Sequence, residues 1–137
     1  MATGYGPFSR FKDGTTAARA APCAQAIKEI NSSAADGVYW IDLPNVGPTQ
    51  IYCIMNSSYN GGGWMMAMKA TSGRTFEYFS PHWTTATTLN PSDTTRNDAD
   101  AKFDTFNYFL ARDIMALWPG LTTAGGCLTT AGCWCWL

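Results

Sequence analysis

Charge is scarce in this chain. Of its 137 residues only 14% are Asp, Glu, Lys or Arg, and the formal net charge is −1, whereas soluble domains carry roughly 25% charged residues. There is no basic field to hold phosphates, which argues against nucleic acid and anionic membranes as partners. The side chains of acid–base catalysis are equally few: one histidine, His82, and two glutamates, Glu29 and Glu77. No G-x-S-x-G, P-loop or H-E-x-x-H is found. His82 sits among aromatic residues with no carboxylate beside it in sequence, so it reads as structural or surface-lying and the chain as non-enzymatic. No apolar run reaches the roughly 18 residues that a bilayer-spanning helix requires. The N-terminal stretch from Met1 to Phe8 lacks the charged and apolar regions of a secretory signal.

What is present points to a single β-rich domain. Hydrophobic residues make up 46% and aromatics 14%, amid abundant Thr, Ser, Gly and Asn. That composition argues against disorder and favours a neutral-surfaced, extracellular type of domain. Five cysteines occur, Cys23, Cys53, Cys127, Cys133 and Cys135, so at least one lacks a partner within the chain. None forms a C-x-x-C, and Cys133-Trp134-Cys135 is too tight for a zinc half-site. Disulfides are therefore the preferred reading, implying an oxidising setting. Without a visible signal, the expected location is extracellular or the surface of a virus particle released by lysis.

Residues 1–22 are rich in Gly, Ala, Thr and Arg without a clean period and read as an extended arm, either a linker or an assembly anchor that uses Phe8 and Phe11. The remainder, 23–137, reads as the domain. Pro22 suits the start of a short helix with Ala26, Ile27 and Ile30 on its apolar stripe, stopped by Asn31-Ser32-Ser33. Val38–Ile41 reads as a strand after the turn Asp36-Gly37, and Thr49–Met55 as a second, with Ile51, Cys53 and Met55 on one face. Asn60-Gly61-Gly62-Gly63-Trp64 then leads into a third strand, Trp64–Met68. A glycine cluster entering a strand marks φ > 0 or a closely pressed backbone, so Gly61, Gly62, Gly63 and Trp64 are taken as fold-defining, with Trp64 anchoring the core. A Cys23–Cys53 bridge would staple helix to strand for roughly 3–4 kcal/mol of loop entropy; the alternative is two buried free thiols.

The order of Cys23, Ile27-Lys28, Asp36-Gly37-Val38-Tyr39-Trp40-Ile41, Ile51-Tyr52-Cys53-Ile54-Met55 and Gly61-Gly62-Gly63-Trp64 resembles the opening half of a fibrinogen-like domain. The resemblance implies an α+β fold: a short N-terminal helix on a small antiparallel sheet, stapled by a disulfide between the family's first two cysteines, here Cys23 and Cys53. It departs at Ile54, where the family usually has an acidic residue. Phe106 to Pro119 is similar to a segment of the intelectins, lectins that share this opening. The resemblance covers roughly 23–119. The family's C-terminal subdomain, with its calcium loop and ligand pocket, has no counterpart here and reads as missing or truncated.

Two local features remain. Asp98, Asp100 and Asp104 form the one carboxylate cluster and are candidates for Ca²⁺, a cation the family resemblance also implies. They lack the EF-hand Gly and Glu, and the competing reading is that Asp98 or Asp100 caps the next helix. Phe103, Phe106, Leu110, Ile114 and Leu117 recur at steps of three and four, which predicts helix within 102–118. The apolar end at 133–137 suggests docking onto a neighbouring protein or a chain that stops mid-domain. The expected function is recognition, adhesion to surface glycans through Ca²⁺ or aromatic stacking; the alternative is a purely structural decoration or fibre component of a viral particle.

Overall fold

Val38–Ile41 consists of branched and aromatic residues, the composition that favours a pleated strand, and this stretch lies at the centre of the first ladder. The computed structural model describes residues 12–71 and 73–117, together with the backbone of 133–136. Two units are formed, Met1–Met65 and Met66–Leu137.

In the first unit, β1 (Gly37–Leu43) pairs antiparallel with β2 (Gly47–Ile54), from Gly37 opposite Cys53 to Leu43 opposite Gly47. Asn45 at φ 67° and Gly47 at φ 91° make the tight connection. β2 pairs in turn with the start of β3 (Trp64–Ala70), Ile54 opposite Trp64 and Cys53 opposite Met65. Ile41, Leu43, Ile51, Cys53, Ile54 and Met55 are buried, and α1 (Ala24–Ile30) adds Ala24 and Ile27 to that core. The helix and the three strands lie where the hydrophobic pattern places them, each one to three residues longer or shorter at its ends.

The arm expected over residues 1–22 needs correction from residue 12 onward. The Trp40 amide donates to the Gly14 carbonyl at 2.7 Å, Ala21 donates to Trp40, and Asp42 donates to Ala21. Ala20 and Ala21 are buried, and Ala21 bridges Ile41 in parallel. Small residues without periodicity look like linker in sequence; here they let the backbone lie close along β1. Phe8 and Phe11 lie outside the described residues.

In the second unit the rest of β3 is buried on both faces, from Met66 through Lys69. It pairs antiparallel with β4 (Ala101–Lys102) and with β6 (Cys133–Trp136), with a bulge between Met66 and Met68. β6 also pairs with β5 (Met115–Leu117). Residues 133–136 of the apolar end thus have their backbone paired within the chain.

The helix expected within 102–118 shrinks to α2 (Asp104–Tyr108). Lys102 is drawn into pairing with β3 and Leu89, and Phe103 is extended and buried. Beyond Tyr108 the apolar stripe has no core to face: Leu110 is 95% exposed and Ile114 73%. A short helix needs a buried face to persist, so periodicity alone did not sustain it. Asp98 and Asp100 do not cap α2 either, because its N-cap is Phe103.

Candidate functional site

The glycine stretch is a left-handed turn of four residues, Asn60, Gly61, Gly62 and Gly63, with φ of 48°, 90°, 77° and 86°. Its tightest point is Gly62. A Cβ there would stand 2.2 Å from the Met55 carbonyl oxygen, and one on Gly63 would stand 3.0 Å from the Gln25 Cα. The Lys28 ammonium of α1 closes the turn by donating to the Met55 and Gly61 carbonyls and to the Ser57 hydroxyl. Asp36 completes the seam by accepting the Met55 and Asn56 amides. Trp64 is half-buried rather than a core plug, and its indole Nε1 donates to the Tyr59 carbonyl at 2.6 Å, tying the loop to its own exit strand. These contacts press the turn against α1 and the Met55 carbonyl.

Cys23 and Cys53 are both free thiols, so the expected staple is not formed in this structure. Cys53 is fully buried and its Sγ donates weakly to the Ile51 carbonyl. Burial, then the neighbouring Cys23, pushes its pKa up, which keeps it protonated and unreactive. Cys23 is half-buried. A thiol reagent applied to the native protein is expected to modify Cys23 well before Cys53, whose labelling should wait for unfolding. A Cys23–Cys53 peptide in a non-reducing digest of freshly purified protein would contradict the thiol state. Cys127, Cys133 and Cys135 lie outside the residues whose side chains are described.

The three acidic calcium candidates are not brought together. Among the described residues no group of three or more His, Cys, Asp or Glu side chains converges. Asp100 accepts from the Thr71 amide and hydroxyl, and Asp104 accepts from Asn107 in the first turn of α2. Asp98 is exposed. The oxygen-rich nest beside them is filled from within by Lys69. Its fully buried ammonium donates to the Thr95 carbonyl and the Asn97 amide oxygen and pairs with Asp93 at 3.1 Å. The Thr95 hydroxyl, opposed by burial and then joined by Lys69, holds Asp93 well down at about 2.

Lys102 does the same for the next loop. It is fully buried, its ammonium donates to the His82 and Thr85 carbonyls, and it stands 4.9 Å over the Phe106 ring. Burial draws its pKa down, with Asp104 partly restoring it.

That loop carries the most exposed aromatic surface described. Tyr78 and Phe79 are each 87% exposed and stack edge to face, centroids 4.9 Å apart at 90°. The ground beneath them is fixed. Arg74 pairs with Glu77 at 2.9 Å, and the Glu77 carbonyl accepts both the Ser80 amide and the Trp83 indole. Phe76 lies against His82 and Trp83, and Trp83 against Phe106. His82 is therefore a half-buried packing residue whose Nδ1 faces the Thr87 hydroxyl at 3.4 Å. Two large rings thus stand in water on a cross-braced loop as an exposed aromatic knuckle. The sequence shows the aromatics of this loop but not which of them point outward.

The first unit also holds a cleft of about 720 Å³ between the Asp13–Arg19 segment and the end of α1. Gly14 seats that segment: at φ 75°, a Cβ on it would stand 2.6 Å from the Ile27 Cδ1.

The chain matches no family model, and neither curated proteins nor solved structures show a significant similarity to it.

Proposed function

We propose that this chain is a non-enzymatic recognition module that adheres to surface glycans by stacking them on the Tyr78–Phe79 knuckle. The observation that carries the reading is the exposure of both rings on a loop braced by Lys102, Glu77 and the Phe76–Trp83–Phe106 stack. An edge-to-face pair leaves an open ring face for the apolar side of a pyranose, and the low charge of the chain suits a neutral ligand. The resemblance of residues 23–119 to a fibrinogen-like domain supports the same direction, with calcium placed outside the mechanism. The setting in this reading is extracellular or the surface of a virus particle. Binding to a glycan array is the test: retention of signal in chelator supports stacking, and loss in chelator or absence of signal contradicts it.

A second reading has its own observation. Leu110 and Ile114 are exposed in the irregular segment after α2, a surface suited to a protein neighbour in an assembly such as a viral decoration or fibre. Exchange of both for serine would abolish incorporation into the particle if this reading holds and leave it unchanged otherwise.

A further inference from the structure

Two of the chain's asparagines begin an Asn-x-Ser triplet with no proline between, Asn31-Ser32-Ser33 and Asn56-Ser57-Ser58. In a surface loop that triplet is the acceptor signal for N-linked glycosylation. Asn31 is the C-cap of α1, and Asn56 lies in the loop that follows β2. All six residues are exposed. The two asparagine side chains fold in the same way. Asn31 Oδ1 accepts the Ser33 amide at 3.1 Å, and Asn56 Oδ1 accepts the Ser58 amide at 2.9 Å together with the Ser58 hydroxyl. Each amide oxygen is thus turned onto the chain, and neither Nδ2 has a hydrogen-bond partner among the described residues. The fold holds both residues by their backbones instead: the Asn31 amide donates to the Ile27 carbonyl and the Asn56 amide to Asp36. A group attached to either Nδ2 breaks none of these contacts.

We propose that Asn31 and Asn56 carry N-linked glycans. The donor is an oligosaccharide held on a lipid diphosphate. Nδ2 attacks its anomeric carbon, the bond from that carbon to the diphosphate oxygen breaks, the lipid diphosphate leaves, and the amide proton passes to a base of the transferase. The Ser33 and Ser58 hydroxyls are the groups by which the transferase recognises each acceptor. Glu29, two residues before Asn31, also meets the stricter rule of transferases that require an acid at that position, which makes Asn31 the stronger site. The other asparagines lack the signal. Asn90 is followed by Pro91 ahead of Ser92, and Asn45, Asn60, Asn97 and Asn107 have no Ser or Thr two residues on. The two sites adjoin one seam of the first unit, since Lys28, three residues before Asn31, donates to the Ser57 hydroxyl beside Asn56. A glycan on Asn31 also gives a polar cover to its neighbour Ile30, which is 39% exposed. Glycosylation requires the extracellular setting proposed above but not the knuckle, and it stands if glycan-array binding fails.

Glycopeptide mass spectrometry of the protein from its natural source is the test. The peptides carrying Asn31 and Asn56 are expected to bear sugar mass on those residues, and the peptide carrying Asn90 none. The full chain directed through the secretory pathway of cultured cells then separates the acceptor signal from the setting. There Ser33→Ala should lower occupancy of Asn31 at least tenfold, and Ser58→Ala that of Asn56, while Ser33→Thr and Ser58→Thr retain it. Unmodified Asn31 and Asn56 in the natural protein would overturn the proposal, whatever the cultured cells produce. Modification of one alone overturns the assignment of the other, and sugar that persists in the Ser→Ala variants overturns the acceptor signal on which both rest.

Discussion

Gly62→Val should leave the protein unable to fold stably. The left-handed backbone costs a branched residue at least about 1–2 kcal/mol, and the new side chain would begin 2.2 Å from the Met55 carbonyl oxygen and 2.7 Å from the Lys28 ammonium. Neither neighbour can yield freely, since Met55 directly follows β2 with its amide held by Asp36, and Lys28 holds the turn shut. A loss beyond about 4 kcal/mol is expected, a large share of what a domain this size possesses. The three glycines also predict a graded series. Gly61→Ala meets nothing within 4 Å and should cost only the backbone term of about 1 kcal/mol. Gly63→Ala, 3.0 Å from the Gln25 Cα, should fall between the other two. Chemical denaturation of the three variants reads the order, and equal losses at Gly61 and Gly62 would refute the close-approach account.

Lys69→Met carries the second large effect. The substitution keeps the buried apolar stem but strands the Thr95 carbonyl, the Asn97 amide and Asp93 without their cation. Removing one partner of a buried, hydrogen-bonded charge cluster costs about 3–5 kcal/mol when both charges are enclosed; with Asp93 partly open to water, about 2–4 kcal/mol is expected. Acid stability gives an independent reading. Asp93 titrates at about 2 in the folded protein, below its unfolded value, chiefly because the Thr95 hydroxyl binds it, with Lys69 adding to that hold. Its contribution is therefore complete above the unfolded carboxylate range and is lost as pH falls toward 2. Asp93→Asn should flatten that acid limb of the stability curve without altering its slope near neutrality.

These two residues also show how far the sequence could be read. The Asn60–Gly63 turn was legible because left-handed backbone and close approach leave a compositional mark, here Asn and three glycines ahead of a Trp. The three strands and α1 were legible for a related reason, since alternation and the Ile27–Ile30 stripe each express one buried face. Lys69 and Lys102 were not read, although each interrupts an apolar run, because a lysine among methionines and alanines carries no sign of the carbonyl oxygens it will find about 17 to 28 residues away. The helix over 102–118 misled because its stripe is real in sequence, yet Leu110 and Ile114 face water. The Asp98–Asp104 cluster misled in the same way: adjacency in sequence is not convergence in space, and the nearby oxygen nest already holds a lysine. Of the proposed contact surface, the aromatic content of 76–83 was visible. Which rings the Glu77 and Lys102 hydrogen bonds would turn outward was not.

Tyr78 and Phe79 are the proposed contact surface, and one comparison on a glycan array tests that most directly. Wild type and the Tyr78→Ala, Phe79→Ala double variant would be applied in chelator at equal concentration. Both rings are exposed and the bracing below them does not use their side chains, so the melting temperature should stay within about 2 °C while array signal falls at least tenfold. Undiminished binding by the double variant would contradict the central claim.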